Sequence, residues 1–186
     1  MSVIAENVGA LEIVRYPHPA LRKPAENIDP GDPNLPRLAA RMIELMRQAD
    51  GVGLAANQVG LPVRVFVANP TRNEPDKDIV LINPEFIETA GWQETNEGCL
   101  SVPGVSLKLR RRERIRVRFV NLAGQTMEID ASGFLATIFQ HETDHLDGKL
   151  IIDRASMIGR LAIRDAVRRL EAQFKPGKFV GQFEAL

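Results

Sequence analysis

Cysteine is nearly absent: Cys99 is the only one in 186 residues. A lone cysteine excludes an internal disulfide framework and fits a reducing compartment. Net charge is absent as well, with 24 Lys and Arg against 24 Asp and Glu. That balance argues against a mainly electrostatic nucleic-acid binder and leaves only a local basic patch open, so no specific DNA partner is expected. No long hydrophobic run occurs. The longest stretch without a charge, 51–63, holds Asn57, Gln58 and Pro62 and is 13 residues long, too short and too polar to span a bilayer. No membrane partner is expected. Glu6 and Glu12 precede the first basic residue, Arg15, unlike the basic start of a secretory signal or an Arg-rich transit peptide. A cytoplasmic location is the expectation. Internal repeats and low-complexity segments are also missing.

What is present is 44% apolar and 26% charged, the profile of a globular chain able to bury a core. One domain over 1–186 is expected. The first 34 residues carry Pro17, Pro19, Pro24, Pro30 and Pro33 and read as an extended arm lying on that domain. The spacing of Leu35, Leu38, Ala39, Met42, Leu45 and Met46 predicts a helix over 35–49, capped by Asn34 or Asp32, with Pro36 in its first turn. The small-residue segment 51–58 reads as a loop. Strands are predicted over 63–68, 78–82, 86–89, 92–95 and 114–120, with breaks at Asn83-Pro84 and Gly91. A turn over 121–125 returns the chain into a hairpin strand over 126–130. Two more helices are predicted, over 132–146 with Gly148 as its stop, and over 156–174, ended by Pro176-Gly177. Strand runs between three helices indicate an α+β fold with antiparallel or mixed sheets, not a repeated βαβ array.

The sharpest chemical feature is His141-Glu142-Thr143-Asp144-His145, in a chain with only three histidines. On a helix, positions i and i+4 share a face, so both imidazoles can reach one metal ion with Glu142 beside it. The preceding run, Phe134 to Phe139, is apolar almost all round and predicts a buried helix. Buried histidines beside a buried Glu need partners, either a metal or a structural network. A third ligand must come from elsewhere. Downstream there are only acids: Asp147, Asp153, Asp165, Glu171 and Glu184. Upstream stands Cys99, within Glu97-Gly98-Cys99-Leu100-Ser101. A thiolate suits zinc or iron, although a small buried hydrophobe is the commonest fate of a lone cysteine. In the 51–58 loop, Gly51 and Gly53 allow close backbone approach, and the Gln58 amide can donate to a carbonyl oxygen.

Three segments together resemble the peptide deformylase family: Gly51-Val52-Gly53-Leu54-Ala55-Ala56-Asn57-Gln58, Glu97-Gly98-Cys99-Leu100-Ser101 and Gln140-His141-Glu142-Thr143-Asp144-His145-Leu146-Asp147-Gly148. Arg15-Tyr16-Pro17-His18-Pro19-Ala20-Leu21-Arg22 and Leu81-Ile82-Asn83-Pro84 are similar to that family's start and middle strand. The resemblance implies an α+β fold of sheets around a central metal-binding helix. It implies that Cys99, His141 and His145 hold one divalent metal, ferrous iron natively, with zinc, nickel or cobalt as substitutes. It implies Glu142 as general base and then acid. The Gln58 side chain and the Leu100 N–H would bind a formyl oxygen, and the backbones of Val52, Gly53 and Gly98 would line the peptide. The implied reaction is hydrolysis of the formyl group from N-terminal formyl-methionine of new polypeptides. An HExxH-type metallopeptidase is the alternative, and an RNA-associated protein with a structural metal is a third.

Phe134, Thr137, Ile138 and His141 share one helix face. The resemblance makes them the lining of a methionine pocket, and plain core is the other reading of the same spacing. Three positions depart from the family pattern: Asn57, Asn96 and Ser106. The last two bear on specificity beyond the first residue. Asp144 is expected to pair with an arginine or a backbone group, and His18, in its Pro-flanked arm, to be a surface residue. Lys108, Arg110, Arg111, Arg112, Arg114, Arg116 and Arg118 read as a solvated sheet face. Arg160, Arg164 and Arg168 form an i, i+4, i+8 stripe on the last helix, an expected contact with ribosomal RNA.

Overall fold

A computed structural model describes residue 4, residues 7–72 and residues 74–175. The fold is α+β. In chain order, helix α1 (Leu35–Gln48) is followed by β1 (Gly53–Ala55), β2 (Val65–Ala68), β3 (Ile79–Ala90), β4 (Gln93–Gly98), β5 (Ser106–Arg111), β6 (Arg114–Val120) and β7 (Thr126–Ser132). Helices α2 (Gly133–Leu146) and α3 (Met157–Gln173) complete it. Five strands form one antiparallel sheet in the order β1-β2-β3-β6-β7, and β4 pairs with β5 in a separate ribbon.

Strand β2 shows how the layers form. Alternate side chains leave a strand on opposite faces. Val65 and Val67 join the α1 residues Leu38, Met42 and Met46 in one core. Phe66 and Ala68 join Ala136, Phe139 and Leu146 of α2 in another. The Phe66 and Phe139 rings pack at 5.5 Å between centroids. A third core unites the arm residues Val14 and Leu21, the ribbon residues Leu107 and Leu109, and Ile163 of α3. Helix α2 thus runs beneath the large sheet, with nine of its residues buried.

All three helices fall where the spacing places them. Asn34 occupies the α1 cap position without a side-chain cap bond, and Asp32 accepts the Asn34 N–H instead (2.8 Å). Gly148 stops α2 with φ +70°, and a Cβ there would meet the Arg22 carbonyl at 2.6 Å, so the stop is also a contact with the arm. Pro176-Gly177 and Glu184 lie outside the described residues.

Three strands and one histidine differ from expectation. Segments 78–82 and 86–89 are one strand, β3. Asn83 has φ +51°, the register shifts after Ile82, and the Asn83 side chain pairs with both backbone groups of Ile28. The Asn-Pro break is therefore a bulge that ties β3 to the arm. The 51–58 loop contains β1, whose three small or apolar residues pair with β2. The segment 106–111, read as part of a solvated basic face, is β5, with Leu107, Leu109 and Arg111 buried. His18 is only partly exposed: its Nδ1 accepts the Ala20 N–H (3.2 Å), and burial lowers its pKa. Among the described residues no helix is long and apolar enough to cross a membrane.

Candidate metal centre and active site

Helix α2 presents His141 and His145 on one face, with ring centroids 5.1 Å apart. The turn after β4 brings Cys99 against them. Its Sγ lies 3.2 Å from His145 Nε2. One ligand atom from each of Cys99, His141 and His145 falls within 4.8 Å of the others. None of the downstream acids 147, 153, 165 or 171 joins this group among the described residues.

The set fits a metal ion. Glu142 Oε2 is buried with no hydrogen-bond partner, an expensive arrangement for a carboxylate unless a nearby cation compensates it. Burial pushes Glu142 up to about 7. Burial also lowers His145, and the neighbouring His141 lowers it further. Burial opposes a charge on His141, yet the Cys99 and Glu97 hydrogen bonds raise its pKa well above the usual imidazole value. The protein thus builds a site that demands one cation among a thiol and two imidazoles. A divalent ion of the zinc or iron type suits that donor set.

Behind the ligands lies an ion-pair network. His141 Nδ1 donates to Glu97 Oε2 (3.0 Å). Arg111 donates twice to Glu97, at 2.7 Å each, and once to Asp144 (2.6 Å). Arg154 also pairs with Asp144. Burial raises the Glu97 carboxyl, but the hydrogen bonds from Arg111 and His141 outweigh it and hold its pKa at about 2. Arg111, 2% exposed, is the residue that sequence reading misplaced. The missed signal was the strand phase: Leu107, Leu109 and Arg111 occupy alternate positions, so an inward Leu–Leu pair makes the third position inward as well. Asp144 pairs with arginines, as expected. Ser101 is another residue that the sequence did not single out.

A cavity of about 630 Å³ opens onto this centre, lined by Val52, Gly53, Gln58, Gly98, Cys99, Leu100, Phe134, Thr137, Ile138, His141 and Glu142 among others. Every site residue expected from the sequence therefore lies on one cavity, except His145, which is buried beside it. Phe134 is half exposed at the mouth, while Ile138 both lines the cavity and packs in the core beneath the sheet. Gln58 sits in the short turn after β1. Its Oε1 accepts the Ala55 N–H (2.8 Å), and its Nε2 donates to Ser101 Oγ (3.1 Å) and faces Cys99 Sγ at 3.7 Å. The amide NH2 is thereby turned toward the metal ligands. Asp50 and Arg72 form an ion pair at the rim (3.6 Å).

Gly53 is the closest approach of β1 to α2: a Cβ built there would overlap the Glu142 carboxylate. Gly53→Ala is expected to lower kcat/KM for a formylated peptide by ~10²-fold, because an ångström-scale shift of a reacting group costs about that much. The melting temperature should move little. Unchanged turnover would show that the carboxylate position does not matter.

Most of the chain is similar to known proteins. The family model described as polypeptide deformylase matches residues 10–160. A peptide deformylase of Rhodopirellula baltica is 43% identical over 166 residues, 89% of this chain and 81% of that protein. One from Thermodesulfovibrio yellowstonii is 44% identical over 155 residues, 83% of this chain and 94% of that protein. The crystal structure of a peptide deformylase from Legionella pneumophila superposes with a TM-score of 0.81 at 36% identity, covering 89% of this chain and all of that one. With a family model spanning most of its length and relatives 43% and 44% identical over more than four fifths of it, this chain belongs to the polypeptide deformylase family.

Proposed function

We propose that Cys99, His141, His145 and Glu142 form the catalytic centre with which this deformylase-family chain removes the formyl group from N-terminal methionine of new polypeptides. The supporting observation is their convergence, with the three ligand atoms within 4.8 Å and the unpartnered Glu142 carboxylate on the same cavity. The peptidase alternative is not favoured, since Cys99, not a downstream acid, completes the ligand group among the described residues. The catalytic domain is taken as 1–186, in the cytoplasm, where formylated chains are made.

Water and a formamide give formate and a free amine. A bound divalent metal acidifies water and polarises the carbonyl; ferrous iron is the proposed native ion, with zinc, nickel or cobalt as substitutes. Glu142 accepts the proton of the attacking water and returns it to the departing amine, acting as base and then as acid. Burial raises its pKa, which favours taking up a proton, while a bound cation would favour the carboxylate. Charge grows on the formyl oxygen as the carbon becomes tetrahedral. The Gln58 Nε2–H and the Leu100 N–H meet that charge, each contributing ~3 kcal/mol to transition-state stabilisation. Val52 and Gly53 at β1, the edge strand of the large sheet, and Gly98 at the end of β4 present backbone groups to the peptide, which lies between them as an added strand. Phe134, Thr137 and Ile138, with His141, form the methionine pocket.

The test is formate release from formyl-Met-Ala-Ser by anaerobically purified protein, with metal content measured on the same sample. The expected result is turnover with about one metal per chain, both lost in Cys99→Ala. Metal bound without formate release overturns the reading.

We also assign the substrate to nascent chains at the ribosome, with contact through α3. Arg160, Arg164 and Arg168 are exposed there. The Arg160 guanidinium already donates to the carbonyls of Ala155 and Asp153 and Arg164 lies 3.5 Å from Asp165, which makes Arg168 the least engaged of the three and Arg164 the second contact. Co-sedimentation with ribosomes is expected at low salt and to fall in Arg164→Ala/Arg168→Ala. Absent or salt-independent sedimentation contradicts it.

A further inference from the structure

In the basic run 108–118, four side chains are ion-paired, Arg114 has no ion pair among the described residues, and two stack on an aromatic. Lys108 pairs with Glu94, Arg111 with Glu97 and Asp144, Arg116 with Glu88 and Asp130, and Arg118 with Glu128. Arg110 and Arg112 have no carboxylate within ion-pair distance among the described residues. Glu94, which faces Arg110 in the ribbon register, is taken by Lys108 (2.6 Å). Both arginines instead hold one side chain. The guanidinium carbons of Arg110 and Arg112 lie 4.3 Å and 3.8 Å from the ring centre of Trp92. Trp92, in the turn between β3 and β4, is 50% exposed.

This arrangement has a physical consequence. An arginine engaged by a carboxylate has its charge neutralised and its donors used. An arginine stacked on an indole is held in place by the ring face, while its in-plane N–H donors and its charge remain available. The two guanidinium carbons are at most about 8 Å apart, by their distances to the shared ring. The result is a pair of fixed, uncompensated cations with an exposed aromatic between them, on a chain whose net charge is zero.

We propose that Trp92, Arg110 and Arg112, at the β3–β4 turn end of the ribbon, form a binding surface for single-stranded RNA. The guanidinium forks match phosphate oxygens, and the guanidinium faces turned away from the indole offer stacking surfaces to unpaired bases, while the indole holds both in place. An acidic peptide satisfies the charge but has no use for those faces. Trp92, Arg110 and Arg112 do not line the substrate cavity, although Gln93, the next residue after Trp92, does. The proposal stands on this surface alone and does not depend on the α3 contact or on the catalytic assignment.

Trp92 is the only tryptophan in the chain, so its fluorescence reports the site directly. The metal-loaded full chain is titrated with a 20-residue uridine RNA at several salt concentrations, following tryptophan emission and, with a labelled RNA, anisotropy. Saturable quenching is expected. Arg110→Ala/Arg112→Ala should weaken binding at least tenfold and reduce the slope of log K against log salt by ~1.4, the value for two phosphate contacts on a single strand. Arg164→Ala/Arg168→Ala should leave the quenching unchanged, which separates this surface from α3. Unchanged formate release by the Arg110/Arg112 variant confirms that it is folded. Three outcomes overturn the proposal: no binding at 50 mM salt, affinity unaffected by the Arg110/Arg112 variant, or a poly-glutamate peptide that binds as tightly with the same quenching.

Discussion

Glu142→Ala is expected to release formate from formyl-Met-Ala-Ser ~10³-fold more slowly than the unchanged chain, within the range that a positioned acid or base contributes, while retaining its metal. The reason is geometric. Glu142 lies 3% exposed on α2, follows one ligand in the chain, and has an oxygen with no protein partner. Such a group does little for the fold and is available for a proton. Its removal deletes the only unpartnered buried carboxylate among the described residues, and neighbouring Gly53 offers no side chain to replace it. Glu142→Gln, which keeps the shape and loses the basicity, should be nearly as slow. Metal content and the thermal midpoint, measured on the same samples, separate loss of chemistry from loss of the site. Turnover within a few-fold of the parent in either variant would falsify the assignment.

Arg111→Met should destabilise the protein by ~3–5 kcal/mol, the usual cost of removing one member of a buried ion-pair network. Arg111 is enclosed, and two carboxylates depend on it: Glu97, which it contacts twice, and Asp144. Methionine fills much of the same volume, so most of the loss comes from stranded charge and little from a cavity. Glu97 also orients His141, so metal affinity should fall together with stability, as it does when outer partners of ligands are lost. Urea unfolding with a metal-sensitive chelator present reads both. Adding Glu97→Gln should recover part of the stability, because one stranded charge disappears, but not the metal affinity. A single variant as stable as the parent would mean that water compensates the two carboxylates.

The parts legible in the sequence share a property: their evidence is local. Helices α1 and α2 announce themselves by the period of their apolar residues, and α2 by a His-x-x-x-His pair whose spacing places both rings on one face. Gly148 is a stop both in the sequence and in the structure. Cys99 differs. Its residue type left a ligand open but favoured a small core residue, the commoner fate of a lone cysteine, and only the resemblance of three segments taken together favoured the ligand. In the structure, a turn that ends β4 places its sulfur 3.2 Å from His145.

Other features became visible only when distant segments met. The Asn83-Pro84 break looked like the end of a strand because proline and left-handed backbone usually end one. The side chain of Asn83 pairs with Ile28, 55 positions away, and the strand continues. The 51–58 segment is too rich in small residues to signal a strand. Pairing with β2 makes it one, and its glycine then leaves room for Glu142. Arg111 shows the limit most clearly. Its phase with Leu107 and Leu109 marks it as inward, but the partners that divide the run appear only in the fold: Glu97 and Asp144 for Arg111, Trp92 for Arg110 and Arg112. The sequence by itself determined the helices, the α+β class and the ligand-bearing face of α2, because those depend on spacing within one segment. The tertiary structure decided which charges are buried, which stay free and how closely β1 approaches α2, because those depend on residues that meet only when the chain folds.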